Sequence, residues 1–196
     1  MAKKLFYYDL ETTGLKYWEN AVHQISGIIE IDGKVVEEFD FHVRPHENAA
    51  ISDEALKVGN VTLEQIMSYP SVDEVHMNII SMLSKYVDRY NKRDKMFLVG
   101  YNNASFDNNF FKAFFDHAGD KYFHSWFWSV PLDVIVLAQQ KMMDIRPDME
   151  NFKLYNVAKT LGISVDEEKL HDAFYDIYLT RAIYKMVTEG TWEEQR

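Results

Sequence analysis

The stretch LFYYDLETTGL, residues 5–15, sets Asp9 and Glu11 in a run that otherwise alternates like a strand. Side chains two apart on a strand share a face. Leu5, Tyr7, Asp9 and Glu11 then point one way, and Phe6, Tyr8 and Leu10 the other. The two carboxylates stand about 6.6 Å apart along such a strand. Like charges on a half-buried face repel, and burial raises the cost. A divalent cation between them removes the conflict. Hard oxygen donors in a chain without cysteine suit Mg2+ or Mn2+ better than zinc. The triplet alone is a weak signal, because Asp148-Met149-Glu150 repeats its spacing just after Pro147 and reads as a solvated surface pair. Strand context separates the two, together with the sequel Thr12-Thr13-Gly14-Leu15. Small residues and a glycine let a ligand approach the backbone.

Two further segments carry acids where chemistry is possible. In GYNNASFDNNF, residues 100–110, Asn103 or Ser105 is placed to cap a helix, which puts Asp107 in its first turn. Phe110, Phe111 and Phe114 follow at helical spacing, so Asp107 borders an apolar stripe. A first-turn Asp that only answers the helix dipole is the plain alternative. In HDAFYD, residues 171–176, Asp176 lines up with Leu179, Ile183 and Met186. An acid on an apolar helix face needs a partner or a metal. Asp172 fits an N-cap, which leaves His171 on the preceding loop, placed to lean over whatever Asp176 binds. A histidine of near-neutral pKa beside a metal-activated water suits a general base; an exposed loop histidine is the alternative. His42, His46 and His124 have no comparable acid pattern and read as structural.

The elements that must hold these groups follow from periodicity. Strands are expected at residues 4–12, 22–31 and 35–43, the last two joined by the hairpin signal Asp32-Gly33. Short helices are expected at 52–58 and 62–68, and a long one at 71–90 with Val75, Ile79, Met82, Leu83 and Tyr86 inward. A strand at 96–101, a helix at 105–118, a strand near 128–132 and a helix at about 133–143 come next. Helices at about 152–161, ended by Gly162, and at 172–188 close the chain. Three strands followed by alternating helices and strands give a mixed α/β sheet with helices on its faces, in one domain spanning 1–196.

Composition narrows the function. With 196 residues and 47% hydrophobic content the chain can bury a sizeable core. No apolar run reaches the roughly 18 residues of a membrane span, and MAKKLFYYD lacks a signal-peptide core. A cytoplasmic protein with no membrane association is the expectation. The net charge of −10 argues against non-specific coating of nucleic acid. It leaves room for an enzyme that meets a phosphodiester through bound cations. Arg89, Lys92, Arg93 and Lys95 read as a solvated turn rather than a strand guide, and Trp126 and Trp128 as core rather than base-stacking residues.

Asp9-x-Glu11, Asp107 and His171-x-x-x-x-Asp176 in this order resemble the DEDDh (DnaQ-like) 3′→5′ exonucleases of the ribonuclease H-like superfamily. DLETTGL is similar to their first motif, NASFD to their second and HDAFYD to their third. HVRP (42–45) and KLYNVAKTLGI (153–163) are similar to their connecting segments, so the likeness covers essentially the whole chain. It implies a ribonuclease H-like fold: a five-stranded mixed sheet with the first three strands antiparallel. It implies that Asp9, Glu11, Asp107 and Asp176 ligate two Mg2+ (or Mn2+) ions roughly 3.5–4 Å apart, which activate water and stabilise the leaving 3′ oxygen. His171 would take the proton. Thr12, Thr13, Gly14, Leu15, Asn103 and Phe106 would meet the terminal nucleotide, with Leu15 wedged beside the base and Asn103 shaping the motif. Phe106 reads equally well as core. One departure stands out: many relatives carry a His in V-H-G-[IV]-T, where this chain has Val58-Gly59-Asn60-Val61-Thr62.

The expected function is metal-dependent 3′→5′ removal of nucleoside 5′-monophosphates from the 3′ end of single-stranded DNA or RNA. A silent nucleic-acid-binding or scaffold member of the fold, and a hydrolase of small phosphodiesters, are the rivals. A stand-alone nuclease is favoured over a polymerase subunit. A homodimer or a polymerase partner is left open.

Overall fold

The computed structural model describes residues 2–169 and 172–191. Its centre is a five-stranded sheet in the order β3-β2-β1-β4-β5. β1 (Lys4–Thr12), β2 (Val22–Ile31) and β3 (Lys34–His42) are antiparallel neighbours. Asp32 and Gly33 link β2 to β3 with φ of 48° and 84°, the paired left-handed conformation that a two-residue hairpin turn requires. Helices α1 (Asp53–Val58), α2 (Leu63–Met67) and α3 (Val72–Ser84) follow. β4 (Phe97–Gly100) returns parallel to β1, then α4 (Asp107–His117) and α5 (Phe123–Trp126). β5 (Leu132–Asp133), parallel to β4, leads into α6 (Val134–Lys141), α7 (Leu154–Thr160) and α8 (Ala173–Glu189).

Both faces of β1 are buried, as its alternation predicts. Phe6, Tyr8 and Leu10 enter a core shared with α3 and the phenylalanines of α4. Leu5 and Tyr7 enter a second core with α6, α7 and α8. Asp9 and Glu11 continue the second row, so they face the side of the sheet that α8 covers. Glu30 of β2, opposite Leu5, lies on that same side. Its carboxylate accepts from Arg181 Nε at 2.7 Å and pairs with Lys185 Nζ at 3.4 Å, tying α8 to the sheet.

Three elements differ from their predicted extent. The helix expected over 71–90 ends at Ser84. The N–H of Asp88 goes to Asp94 Oδ2 at 2.9 Å rather than back along a helix, and Lys4 takes the Tyr86 carbonyl. The strand expected near 128–132 is reduced to Leu132–Asp133 plus an isolated bridge between Met96 and Phe127. Pro131, between them, has no N–H for a ladder. Neither Asn103 nor Ser105 caps α4. Phe106 is its N-cap and has no side-chain cap bond. Trp126 is core, with the Arg89 guanidinium 5.1 Å from its ring centre, and Trp128 packs on Phe97. Among the described residues no helix is long and apolar enough to cross a membrane.

Candidate active site

β1, β4 and β5 run parallel, so their carboxyl ends lie at one edge of the sheet. Crevices outside such ends are where open α/β sheets bind ligands. β4 pairs only with Leu5–Tyr7 of β1. Beyond Tyr7 the two strands part, and β1 continues alone on that side through Asp9 and Glu11. The loop leaving β4 turns through Asn102, at φ of 60°, and delivers Asp107 as the first residue of α4. From the covered face, α8 brings Asp176 in its first turn. Asp172 caps that helix by accepting from Tyr175 N at 2.9 Å, as predicted. His171 lies outside the described residues.

The acids act on one another. Burial pushes the Asp9 carboxyl well above the usual range, and Asp107, Glu11 and Asp176 add to the rise in that order. Burial also pushes Asp107 up to about 7, against the pull of its own N–H and that of Leu10, with Glu11 and Asp133 raising it further. Asp9 therefore feels the charge of all three other predicted ligands. Among the described residues, no three Asp, Glu or His side chains converge closely enough to hold a metal ion as they stand. In kind the set fits Mg2+ or Mn2+. The donors are hard carboxylate oxygens, and mutual repulsion of this sort is what a divalent cation relieves.

A cavity of about 610 Å³ opens beside Glu11, lined by Thr12, Gly14, Leu15, Val58 and Phe106 among others. That volume suits a small organic ligand. Leu15 and Val58 are each 83% exposed and flank the mouth. Thr12 turns its hydroxyl to the Gly14 carbonyl at 2.8 Å.

Two residues expected to touch substrate are committed elsewhere. Thr13 is fully buried. Its N–H donates to Ala21 O at 2.8 Å, its hydroxyl donates to Ala50 O at 2.8 Å and accepts from Ala21 N at 3.0 Å. It braces the strand end against the segment leading to α1. Asn103 is 1% exposed and folded beneath the loop beside the Tyr8 phenol. A Cβ at Gly100 would stand 2.7 Å from the Asn103 side chain, so that glycine makes room for the turn inward. Buried there, Asn103 offers no surface to a ligand. Gly14 serves a similar purpose: its Cβ would meet the Asn20 side chain at 2.5 Å. Asn20 accepts from Lys16 N and donates to Ala50 O, so it pins the loop after β1.

Gly59, where relatives often carry a His, has φ of −74° and ordinary space for a Cβ. Neither geometry nor crowding demands glycine there. Val58, its neighbour, supplies the apolar contact to the cavity instead. Asp133 is the N-cap of α6. Its carboxylate accepts the N–H groups of Asn102, Ala104 and Ile135, which links the α4 loop to β5. An Asp ahead of an apolar helical run is a capping signal, but its grip on a loop 30 residues away has no local signature.

A family model described as Exonuclease, of the RNase T type, matches residues 6–184. The chain belongs to this exonuclease family, a DnaQ-like group of the ribonuclease H-like superfamily. It is 26% identical over 190 residues to a DNA polymerase III PolC-type of Bacillus cereus, covering 95% of this chain and 12% of that one. To the corresponding protein of Clostridium perfringens it is 27% identical over 187 residues, covering 95% and 11%. The chain thus spans about a tenth of the length of these relatives. Its fold is that of E. coli exonuclease I: the complex with a dT13 oligonucleotide aligns with TM-score 0.71 at 21% identity, covering 94% of this chain and 41% of that one. A zinc-bound exonuclease I complex with single-stranded DNA aligns with TM-score 0.74 at 20% identity, covering 96% and 41%.

Proposed function

We infer that this exonuclease-family chain removes nucleotides from the 3′ end of single-stranded nucleic acid, releasing nucleoside 5′-monophosphates. The observation that carries the reading is the placement of Asp9 and Glu11 at the end of β1, Asp107 in the first turn of α4 and Asp176 in the first turn of α8, beside a cavity at the strand ends. Those four carboxylates would hold two Mg2+ or Mn2+ ions. Bound there, the ions would supply an activated water and neutralise charge on the leaving oxygen.

The chain's own residues do the rest. Leu15, Val58 and Phe106 form apolar walls for the terminal base. Thr12 and Glu11 flank the sugar side of the cavity, where a 3′ hydroxyl needs polar partners. His171 directly precedes the N-cap of the helix that carries Asp176, and in this reading it accepts the proton of the attacking water. An imidazole is suited to that role near neutral pH. The relatives are DNA polymerases, which favours DNA over RNA.

Matched DNA and RNA strands, labelled at the 5′ end in one set and the 3′ end in the other, test polarity and sugar preference together. A ladder shortening from the 3′ end, with 5′-mononucleotides as product and only in the presence of Mg2+ or Mn2+, is expected. In the same assay His171→Ala should slow turnover by a factor of ~10²–10⁴. Absence of release from every single strand under both metals would reject the enzyme reading.

A further inference from the structure

The loop after the Thr-Thr-Gly-Leu segment carries two aromatic residues that face solvent. Tyr17 is 40% exposed and Trp18 66%. Their rings meet edge to face at 5.0 Å, and Tyr17 meets Phe110 in the same way at 6.5 Å. Phe110 packs on Phe106 at 4.9 Å, and Phe106 lines the cavity beside Glu11. The rings of Phe106, Phe110, Tyr17 and Trp18 thus form an unbroken run from the cavity wall to the surface.

Covering the edge of Phe110 explains Tyr17. It does not explain Trp18, which reaches outward past it. The loop is held firmly. Lys16 O accepts from Glu19 N at 2.9 Å and Asn20 N at 2.7 Å, and Glu19 O accepts from Ala50 N at 2.7 Å. The indole N–H donates to Glu19 Oε1 at 3.2 Å. A ring fixed in place has already lost its freedom, so stacking on it costs little further entropy. Lys16, exposed in the same loop, lines the cavity and is paired with Glu19 at 3.1 Å.

We propose that Trp18, braced by Tyr17, is a stacking platform for a nucleobase of the single strand on the 5′ side of the nucleotide in the cavity. The identity of the ligand rests on the nuclease reading above. Every base presents a π-face, so such a platform binds strands without selecting sequence. It also gives an acidic protein a grip on a polyanion that does not depend on net positive charge.

The test is binding of a fluorescein-labelled dT strand of roughly 12 nucleotides, measured by anisotropy with Ca2+ replacing Mg2+ to suppress turnover. Trp18→Ala is expected to weaken binding by roughly 5- to 100-fold, and Trp18→Phe to restore most of it. The preference for this strand over a 5′-mononucleotide, measured by competition, should shrink by the same factor. Quenching of tryptophan emission by the strand, larger in the wild type than in Trp18→Phe, reports the stack even if the alanine variant does not fold. Unchanged affinity in Trp18→Ala overturns the proposal, as does equal weakening for a 5′-mononucleotide, which has no base on the 5′ side, and the long strand, or equal quenching in wild type and Trp18→Phe. A wild type that binds through Trp18 yet releases no mononucleotide keeps the platform and removes the nuclease reading. Release of mononucleotides with a KM that Trp18→Ala leaves untouched does the reverse.

Discussion

Asp133 accepts the backbone N–H of Asn102 at 2.8 Å, which ties the end of β5 to the loop that launches α4. It also takes the N–H of Ala104 at 3.1 Å and caps α6 through Ile135 at 3.2 Å. One carboxylate thus fixes the left-handed turn at Asn102, and with it the point from which Asp107 emerges. Hydrogen bonds to an ionised acceptor are stronger than neutral ones. Asp133→Ala removes a helix cap and strands two loop N–H groups, and should lower stability by about 1–3 kcal/mol. It should also raise several-fold the Mg2+ concentration needed for half-maximal hydrolysis. Asp133→Asn, which keeps one acceptor oxygen, should fall between. Urea midpoints and metal titrations check both effects; an alanine variant with normal metal dependence would mean that Asp107 does not rely on this tie.

Most local signals in the sequence already carried the answer. The Asp32-Gly33 turn, the two faces of β1 and the Asp172 cap all rest on residues within a few positions of one another. Asp9 and Glu11 at the end of β1, and Asp107 and Asp176 in the first turns of α4 and α8, also stand where the pattern put them; it was the family resemblance that joined them as a set. Long-range contacts were not legible. α3 stops early because Lys4 and Asp94 capture groups that a helix would use. Thr13 looks like a ligand contact until Ala50, 37 residues on, accepts its hydroxyl. The cap expected from Asn103 is a local signal that failed, because Gly100, three residues before it, lets the side chain turn inward. The exposure of Trp18 depends on how the Asn20 side chain locks its loop, which no spacing rule encodes.

The Glu30–Arg181–Lys185 cluster offers a second test of how α8 is held. Glu30 is 1% exposed and Arg181 3%. Removing one member of a buried ionic group leaves an uncompensated charge, so Glu30→Ala should cost about 3–5 kcal/mol. Replacing all three by Leu, Met and Met should recover most of that, because well-packed apolar residues often match a buried ionic triad. The recovered protein should still need more metal than the wild type, since directional bonds no longer fix α8 and Asp176 with it. Denaturant curves for the single and triple variants, with metal titrations of the triple, separate the two effects. Full recovery of metal dependence would show that apolar packing alone sets the helix.

Asp9→Asn should abolish mononucleotide release and leave the metal-free fold intact or slightly firmer. Three carboxylates raise the cost of its charge, and the amide removes one member of that repulsion. For a chain of this size, each kcal/mol relieved raises the melting temperature by about 2–4 °C. Calorimetry in EDTA, beside the hydrolysis assay, is the check. A markedly lower melting temperature would mean that Asp9 contributes to the fold rather than to the chemistry.

Asp107 predicts a pH dependence of stability with a definite sign. Its folded-state carboxyl is pushed up to about 7 by burial first and by neighbouring acids second. In the unfolded chain an Asp titrates near about 4. Between those values the folded state binds the extra proton, so this contribution is complete below about 4 and is lost as pH rises through about 7. His23 works in the opposite sense, since burial lowers it to about 4 and its contribution grows as pH rises toward the ordinary histidine range. Subtracting an Asp107→Asn variant from the wild type cancels His23 and leaves Asp107 together with the rise it causes in Asp9, which has the same sign. In EDTA, wild-type stability should decline relative to the variant between about pH 4 and 7 and level off above that, by up to about 1.4 kcal/mol per pH unit. A divalent cation competes with the proton for the same oxygens, so added Mg2+ should stabilise the wild type more at pH 8 than at pH 5. Urea unfolding at stepped pH measures the difference directly. A wild-type advantage that grows with pH in EDTA would refute the raised carboxyl and the crowding of acids that causes it.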